Sequence, residues 1–123
     1  MLSIELDHGV ATIRLPGDVD AANADAVAQE IVGGVGNETP AVVLDLRATR
    51  YLDSAGVDML FRLHESMLAR RQRLHLVASE DSPLWRILRI VAIPEVMPVH
   101  DDVQSAVAAA AGDSAQVPVE EGD

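Results

Sequence analysis

Residues 41–68 read AVVLDLRATRYLDSAGVDMLFRLHESML. Ala41 to Leu46 is apolar on both alternating faces apart from Asp45, the pattern of a central strand covered on two sides. From Val57 the period changes. Val57, Leu60, Phe61, His64 and Leu68 recur at i, i+3, i+4, i+7 and i+11, which predicts an amphipathic helix with Arg62, Glu65 and Arg70 toward water. Arg70, Arg71 and Arg73 cluster near its carboxyl end, where cations complement the helix dipole. Between strand and helix lies YLDSAGV (51–57). Its serine is open to three readings: helix cap, catalytic nucleophile or switch.

The segments on either side continue the alternation of strand and helix. Leu2, Ile4 and Leu6 fall on one face of a strand and Ala11, Ile13 and Leu15 on one face of the next, with His8-Gly9 as the turn of an amino-terminal β-hairpin. PGDVD (16–20) breaks that pattern, and Asp20 is a suitable N-cap for a helix from Ala21 to about Val35. Gly33, Gly34, Gly36 and Pro40 end it. Leu74 to Ser79 predicts another strand. Glu80 to Ile93 predicts a helix with Pro83 in its first turn and a stripe of Leu84, Ile87, Leu88 and Val91. VMPV (96–99) suits a short edge strand, because Pro98 cannot donate to a ladder. A last helix follows, capped by Asp101 or Asp102. The order is β-β-α-β-α-β-α-(β)-α, an α/β sheet with parallel crossovers. Residues 1–111 form one domain and residues 112–123 an acidic flexible tail.

The chain has 123 residues, 49% of them hydrophobic, enough for one domain with a real core. Only 2% are aromatic, so Val, Leu, Ile, Ala and Met must build that core. The formal net charge of −11 argues against binding nucleic acid or an anionic membrane, and permits a partner with a basic surface. All nine positive residues are arginine, which removes chemistry that needs a lysine amine. Cysteine is absent too, so there is no thiolate nucleophile and no cysteine metal site. No apolar run reaches the roughly 18–20 residues of a membrane span, and no signal peptide precedes the first strand. These features predict a cytoplasmic domain.

Candidate chemistry is sparse. His64 lies on the apolar side of its helix and reads as a core or boundary histidine. Without an HxxxH or HExxH pair, no metal site has support. GGVG (33–36) follows a helix and lacks the lysine of a phosphate-binding loop. Ser54 is outside a G-x-S-x-G motif, and no histidine is placed by the sequence as its base. Receiver domains of response regulators share the size and class, but their late lysine has no counterpart here. Ser and Asp both favour helix starts, so Asp53-Ser54 is explained by capping alone. Gly56 is not: glycine costs about 1 kcal/mol against alanine inside a helix, which suggests a close approach by another backbone or a partner.

Taken together, these segments resemble the STAS domain, and most closely a stand-alone bacterial anti-sigma factor antagonist. The resemblance is carried by Leu44-Asp45-Leu46, by Asp53-Ser54-Ala55-Gly56-Val57, and by Gly17, Val19, Asp20 and Asn23 upstream. It covers nearly the whole chain except the tail. It implies a mixed sheet with an amino-terminal β-hairpin and helices mainly on one face. Asp58 and Ala92 stand where the family often has glycine; Asp58 adds negative charge beside Ser54.

The resemblance also implies a role. Ser54 would be phosphorylated by an anti-sigma factor that is itself a serine kinase. The unphosphorylated chain would bind that kinase and free a sigma factor, and a phosphatase would reset the phosphoprotein. Asp18, Asp20, Asn23, Asp53, Ala55, Gly56 and Asp58 would form the docking surface. The chain would be a monomer or weak dimer, would catalyse nothing and would need no cofactor. The alternative is an unphosphorylated STAS scaffold subunit of a transport or stress-signalling complex.

Overall fold

The computed structural model describes residues 2–116. The hairpin forms as expected. Strands β1 (Ile4–Asp7) and β2 (Val10–Arg14) are antiparallel, with Ile4 opposite Ile13 and Leu6 opposite Ala11. His8 and Gly9 both have positive φ, at 56° and 78°, as tight two-residue hairpin turns require. Strand β4 (Ala41–Asp45) pairs in parallel with β2 on one side and with β6 (Arg73–Val77) on the other. Strand β7 (Val99–His100) closes the edge, giving the order β1-β2-β4-β6-β7. This is the mixed sheet that the family resemblance implies, with β1 as its antiparallel member.

Alternation along the central strands divides the interior. Val42 and Leu44 of β4 join Ala11 and Ile13 of β2 and Leu74 and Leu76 of β6 in the larger core. Helices α1 (Ala24–Gly34), α2 (Ser54–Ala69) and α3 (Pro83–Ile90) cover that face. Val10, Ala41, Val43 and Val77 point the other way, where Ala106 and Ala110 of α4 (Val103–Gln116) lie on them. Three helices on one face and one on the other fit the expected architecture. Among the described residues, no helix is long and apolar enough to cross a membrane.

Several local boundaries differ from expectation, each for a physical reason. Helix α1 begins at Ala24 rather than Ala21. A turn precedes it, in which the Asp20 side chain accepts from Ala22 N and the Asp20 carbonyl from Asn23 and Ala24. The third helix runs only over Pro83–Ile90, capped by Ser82, whose hydroxyl accepts from Leu84 N. Ala92 then turns left-handed at φ 61°, and a 3-10 turn covers Ile93–Glu95. The edge strand is therefore Val99–His100 rather than 96–99. Asp102 caps α4 by accepting from Ser105 N at 2.7 Å. That helix continues to Gln116, past the expected start of the tail at 112; residues 117–123 lie outside the described residues.

The largest correction concerns α2. Its buried residues are Gly56, Met59, Leu60, Leu63 and Met67, whereas Val57, Phe61 and His64 are half-buried and Leu68 is exposed. Both stripes are present in the sequence, since Met59, Leu63 and Met67 also recur four apart. Gly56 selects between them. A Cβ there would stand 2.5 Å from the Val19 carbonyl oxygen and 2.7 Å from Leu52 Cδ1, so only a glycine lets the helix roll onto this side.

Candidate functional site

PGDVD (16–20), which breaks the alternation of the flanking segments, supplies a strand that the sequence reading did not expect. Strand β3 (Asp18–Val19) pairs in parallel with β5 (Tyr51–Leu52) in a separate two-stranded ribbon. The loop after β4 brings these strands together. Leu46 N donates to Val77 O, and Thr49 N to Leu46 O. The Thr49 hydroxyl donates to Pro16 O at 2.8 Å, and Arg50 and Tyr51 both donate to Gly17 O. Asp45 pins the loop's start: its carboxylate accepts from Arg47 N, Nε and Nη2, and Arg14 approaches to 3.7 Å. Burial pushes the Asp45 carboxyl up. The Arg47 hydrogen bonds and the charges of Arg47 and Arg14 outweigh that and hold it below the ordinary carboxylate value.

At the end of β5, Asp53 is the N-cap of α2. Its Oδ1 accepts from Gly56 N at 3.0 Å, and its Oδ2 accepts from Ala21 N at 3.2 Å. One carboxylate thus caps the helix and ties it to the segment after β3. Asn23 completes the join: its Oδ1 accepts from Asp20 N, and its Nδ2 donates to Asp18 O, both at 2.9 Å. Segments about thirty residues apart become one surface at the amino end of α2.

Ser54 is the first residue of α2 and is exposed. Asp53 does the capping, so the serine hydroxyl has no hydrogen-bond partner among the described residues. His64 cannot serve it as a base. It lies ten residues along the same helix, about 15 Å of axial rise away. Its Nδ1 is buried and unpartnered among the described residues. His75 and His100 stack on each other at the β6–β7 edge. Among the described residues, no group of three or more His, Cys, Asp or Glu is placed to hold a metal.

The structure brings all the expected residues to this end of the molecule but gives them different situations. Asp18, Ser54 and Asp58 are exposed; Asp20, Asn23, Asp53 and Ala55 are half-buried; Gly56 is buried. Asn23, Asp53 and Gly56 are occupied in assembling the surface. Asp58 does not stand alone beside Ser54. Its Oδ2 meets Arg62 Nε at 2.8 Å, and Arg62 Nη2 lies 3.8 Å from Asp25 of α1. The i, i+4 spacing of an acid and an arginine was the signal for that pair. Tyr51, half exposed on β5 beside Asp18, is a surface residue of the site that the sequence did not single out.

A mixed sheet flanked by three helices on one face and one on the other, with an exposed serine opening α2, defines a small α/β domain whose candidate site is on its surface. The chain belongs to the STAS domain family, whose model matches residues 1–106. It is similar in structure to an anti-sigma factor antagonist from Mycobacterium paratuberculosis. The identity is 24%, with 89% of this chain and 92% of that chain covered and a TM-score of 0.78. The anti-sigma factor antagonist SpoIIAA in its unphosphorylated form is 16% identical, covering 91% and 97% at a TM-score of 0.72. The Bacillus cell fate determinant SpoIIAA in its phosphorylated form is 17% identical, covering 88% and 97% at 0.63. These likenesses are of fold.

Proposed function

We propose that this chain is an anti-sigma factor antagonist that works by partner switching, with Ser54 as its phosphorylation site. The observation that carries the reading is the serine itself: exposed, first in α2, and relieved of capping by Asp53. A kinase can reach its hydroxyl without breaking a bond on which the fold depends. The anti-sigma factor is that serine kinase; it binds the unphosphorylated chain and releases its sigma factor, and a phosphatase reverses the modification. The chain is substrate and binding module rather than catalyst, and it acts in the cytoplasm.

Phosphorylation adds about −1.5 to −2 charges. Backbone N–H groups and the dipole at the start of α2 favour a phosphate there. The fold therefore persists, while the docking surface changes in charge and bulk. A tenfold loss of affinity needs only about 1.4 kcal/mol, and an unpaired charge driven into a tight interface costs more than that. Asp18 and Asp58, both exposed, face the partner's basic groups.

Incubation with the cognate kinase and ATP, followed by mass spectrometry, is expected to find one phosphate, on Ser54. Ser54→Ala retains binding and Ser54→Asp loses at least tenfold in affinity. A phosphate at another residue, or none with an active kinase, refutes the switch; equal affinity of the two variants leaves a binding role only.

A further inference from the structure

Beyond the carboxyl ends of β2 and β4, the β3–β5 ribbon turns one pair of side chains outward. Asp18 and Tyr51 are Cα partners across the ribbon, so they stand on the same face. Val19 and Leu52 point inward and are buried in the larger core. The chain has one Trp, one Phe and one Tyr. Trp85 and Phe61 pack against the larger core, whereas Tyr51 belongs to neither core cluster and is 51% exposed. Its hydroxyl has no hydrogen-bond partner among the described residues. Leu52, not Tyr51, fastens this strand to the interior.

The exposed ring stands on a firm base. Arg50 N and Tyr51 N both donate to Gly17 O, and Asp53 N donates to Val19 O. The Thr49 hydroxyl ties the preceding loop to Pro16 O. Two residues on, Asp53 fixes the strand end to α2 and to Ala21 N. The backbone is thus ordered before any partner arrives, and a tyrosine has only two side-chain torsions left to fix.

We propose that Tyr51 is the apolar anchor by which the chain docks on the anti-sigma factor, setting the affinity of the unphosphorylated form. The partner's identity rests on the partner-switching reading. Position joins the ring to that partner. Three residues separate Tyr51 from Ser54, a reach of at most about 11 Å. A protein interface covers about 800 Å² on each side, so a partner seated over the serine hydroxyl has the ring within its footprint. Charge agrees. Asp18 beside the ring is exposed and in no ion pair among the described residues. It suits an apolar pocket with a basic rim, the sign that a chain of net charge −11 attracts. A second copy would bring an acidic rim of its own and be repelled. Tyr51 supplies affinity, and Ser54 carries the switch.

Steady-state phosphorylation by the anti-sigma factor kinase tests this, read as KM and kcat. An anchor that binds ground state and transition state alike changes KM and leaves kcat unchanged. Tyr51→Ala is expected to raise KM about tenfold or more; Tyr51→Phe keeps the ring and stays close to wild type. Leu6, 70% exposed on β1 opposite Ala11 at the other end of the sheet, is the control, and Leu6→Ala leaves both constants unchanged. Circular dichroism checks that each variant is folded. An unchanged KM in Tyr51→Ala overturns the anchor while the Ser54 reading stands. So does a fall in kcat alone, or an equal rise in KM with Leu6→Ala. Self-association that Tyr51→Ala abolishes with KM unchanged also overturns it, and assigns the ring to a second copy. If the wild-type chain accepts no phosphate, the Ser54 reading fails, and calorimetric titration with the same anti-sigma factor replaces the kinetics. There a tenfold weaker Tyr51→Ala upholds the anchor, while equal affinity, or no binding by either, overturns it.

Discussion

Asp53 holds two backbone N–H groups, Gly56 one turn into α2 and Ala21 at 32 residues' separation. Asp53→Ala removes the cap and the tie together and is expected to cost about 1–2 kcal/mol, read by urea denaturation. Asp53→Asn keeps an accepting oxygen and costs less. Gly56→Ala places a methyl against the Val19 carbonyl and the Leu52 side chain. The carbonyl belongs to the β3–β5 ribbon and cannot swing away, so a loss of about 1–3 kcal/mol is expected by the same measurement. The serine between these two is different. Its hydroxyl makes no bond in the described structure, so Ser54→Ala leaves stability nearly unchanged and its effects appear in partner binding. The sequence showed that a serine opens a helix; it did not show which of two adjacent capping residues caps it. Nor did it show the tie to Ala21, whose position relative to Asp53 goes with the pairing of β3 with β5.

Elements were legible where their period was long and unambiguous, and less so where two periods overlapped. Helix α2 carries two candidate stripes, and Gly56 against Val19 chose the one with Met59, Leu63 and Met67. Strands β3 and β5 are two residues each, too short for alternation to register, and each exists because of the other. Helix α3 stops two residues before Ala92, which holds φ 61° in a chain of L-residues. The left-handed region costs a residue with a Cβ roughly 1–2 kcal/mol. Ala92→Gly relieves that cost but frees the unfolded chain by about 0.4–1 kcal/mol. The expected net effect is a gain of up to about 1 kcal/mol, seen as a raised midpoint in thermal denaturation.

At the scale of the whole fold, Asp45 is the most buried carboxylate among the described residues. It is 2% exposed and bound by Arg47, with Arg14 close by. Its folded pKa is depressed. The stability it contributes is therefore fully present above the unfolded carboxylate value and is lost as pH falls through the folded one. Denaturation midpoints measured from neutral to acid pH should show Asp45→Asn less stable at neutrality, with the gap closing as the wild-type carboxylate protonates. A gap that stays constant with pH would remove the ionised pair as its cause. Composition, hydrophobic period and turn residues determined the α/β class, the hairpin, the central strand and the helix that Ser54 opens, because each depends on neighbours within a turn or a strand. Tertiary structure decided which side of α2 is buried, that Asp53 joins two distant segments, that Asp58 is paired with Arg62, and that α3 leaves Ile90 exposed while Trp85 packs against the core. Each of these is a contact whose partner is chosen by the path of the backbone or by packing between elements, and local periodicity carries no record of that choice.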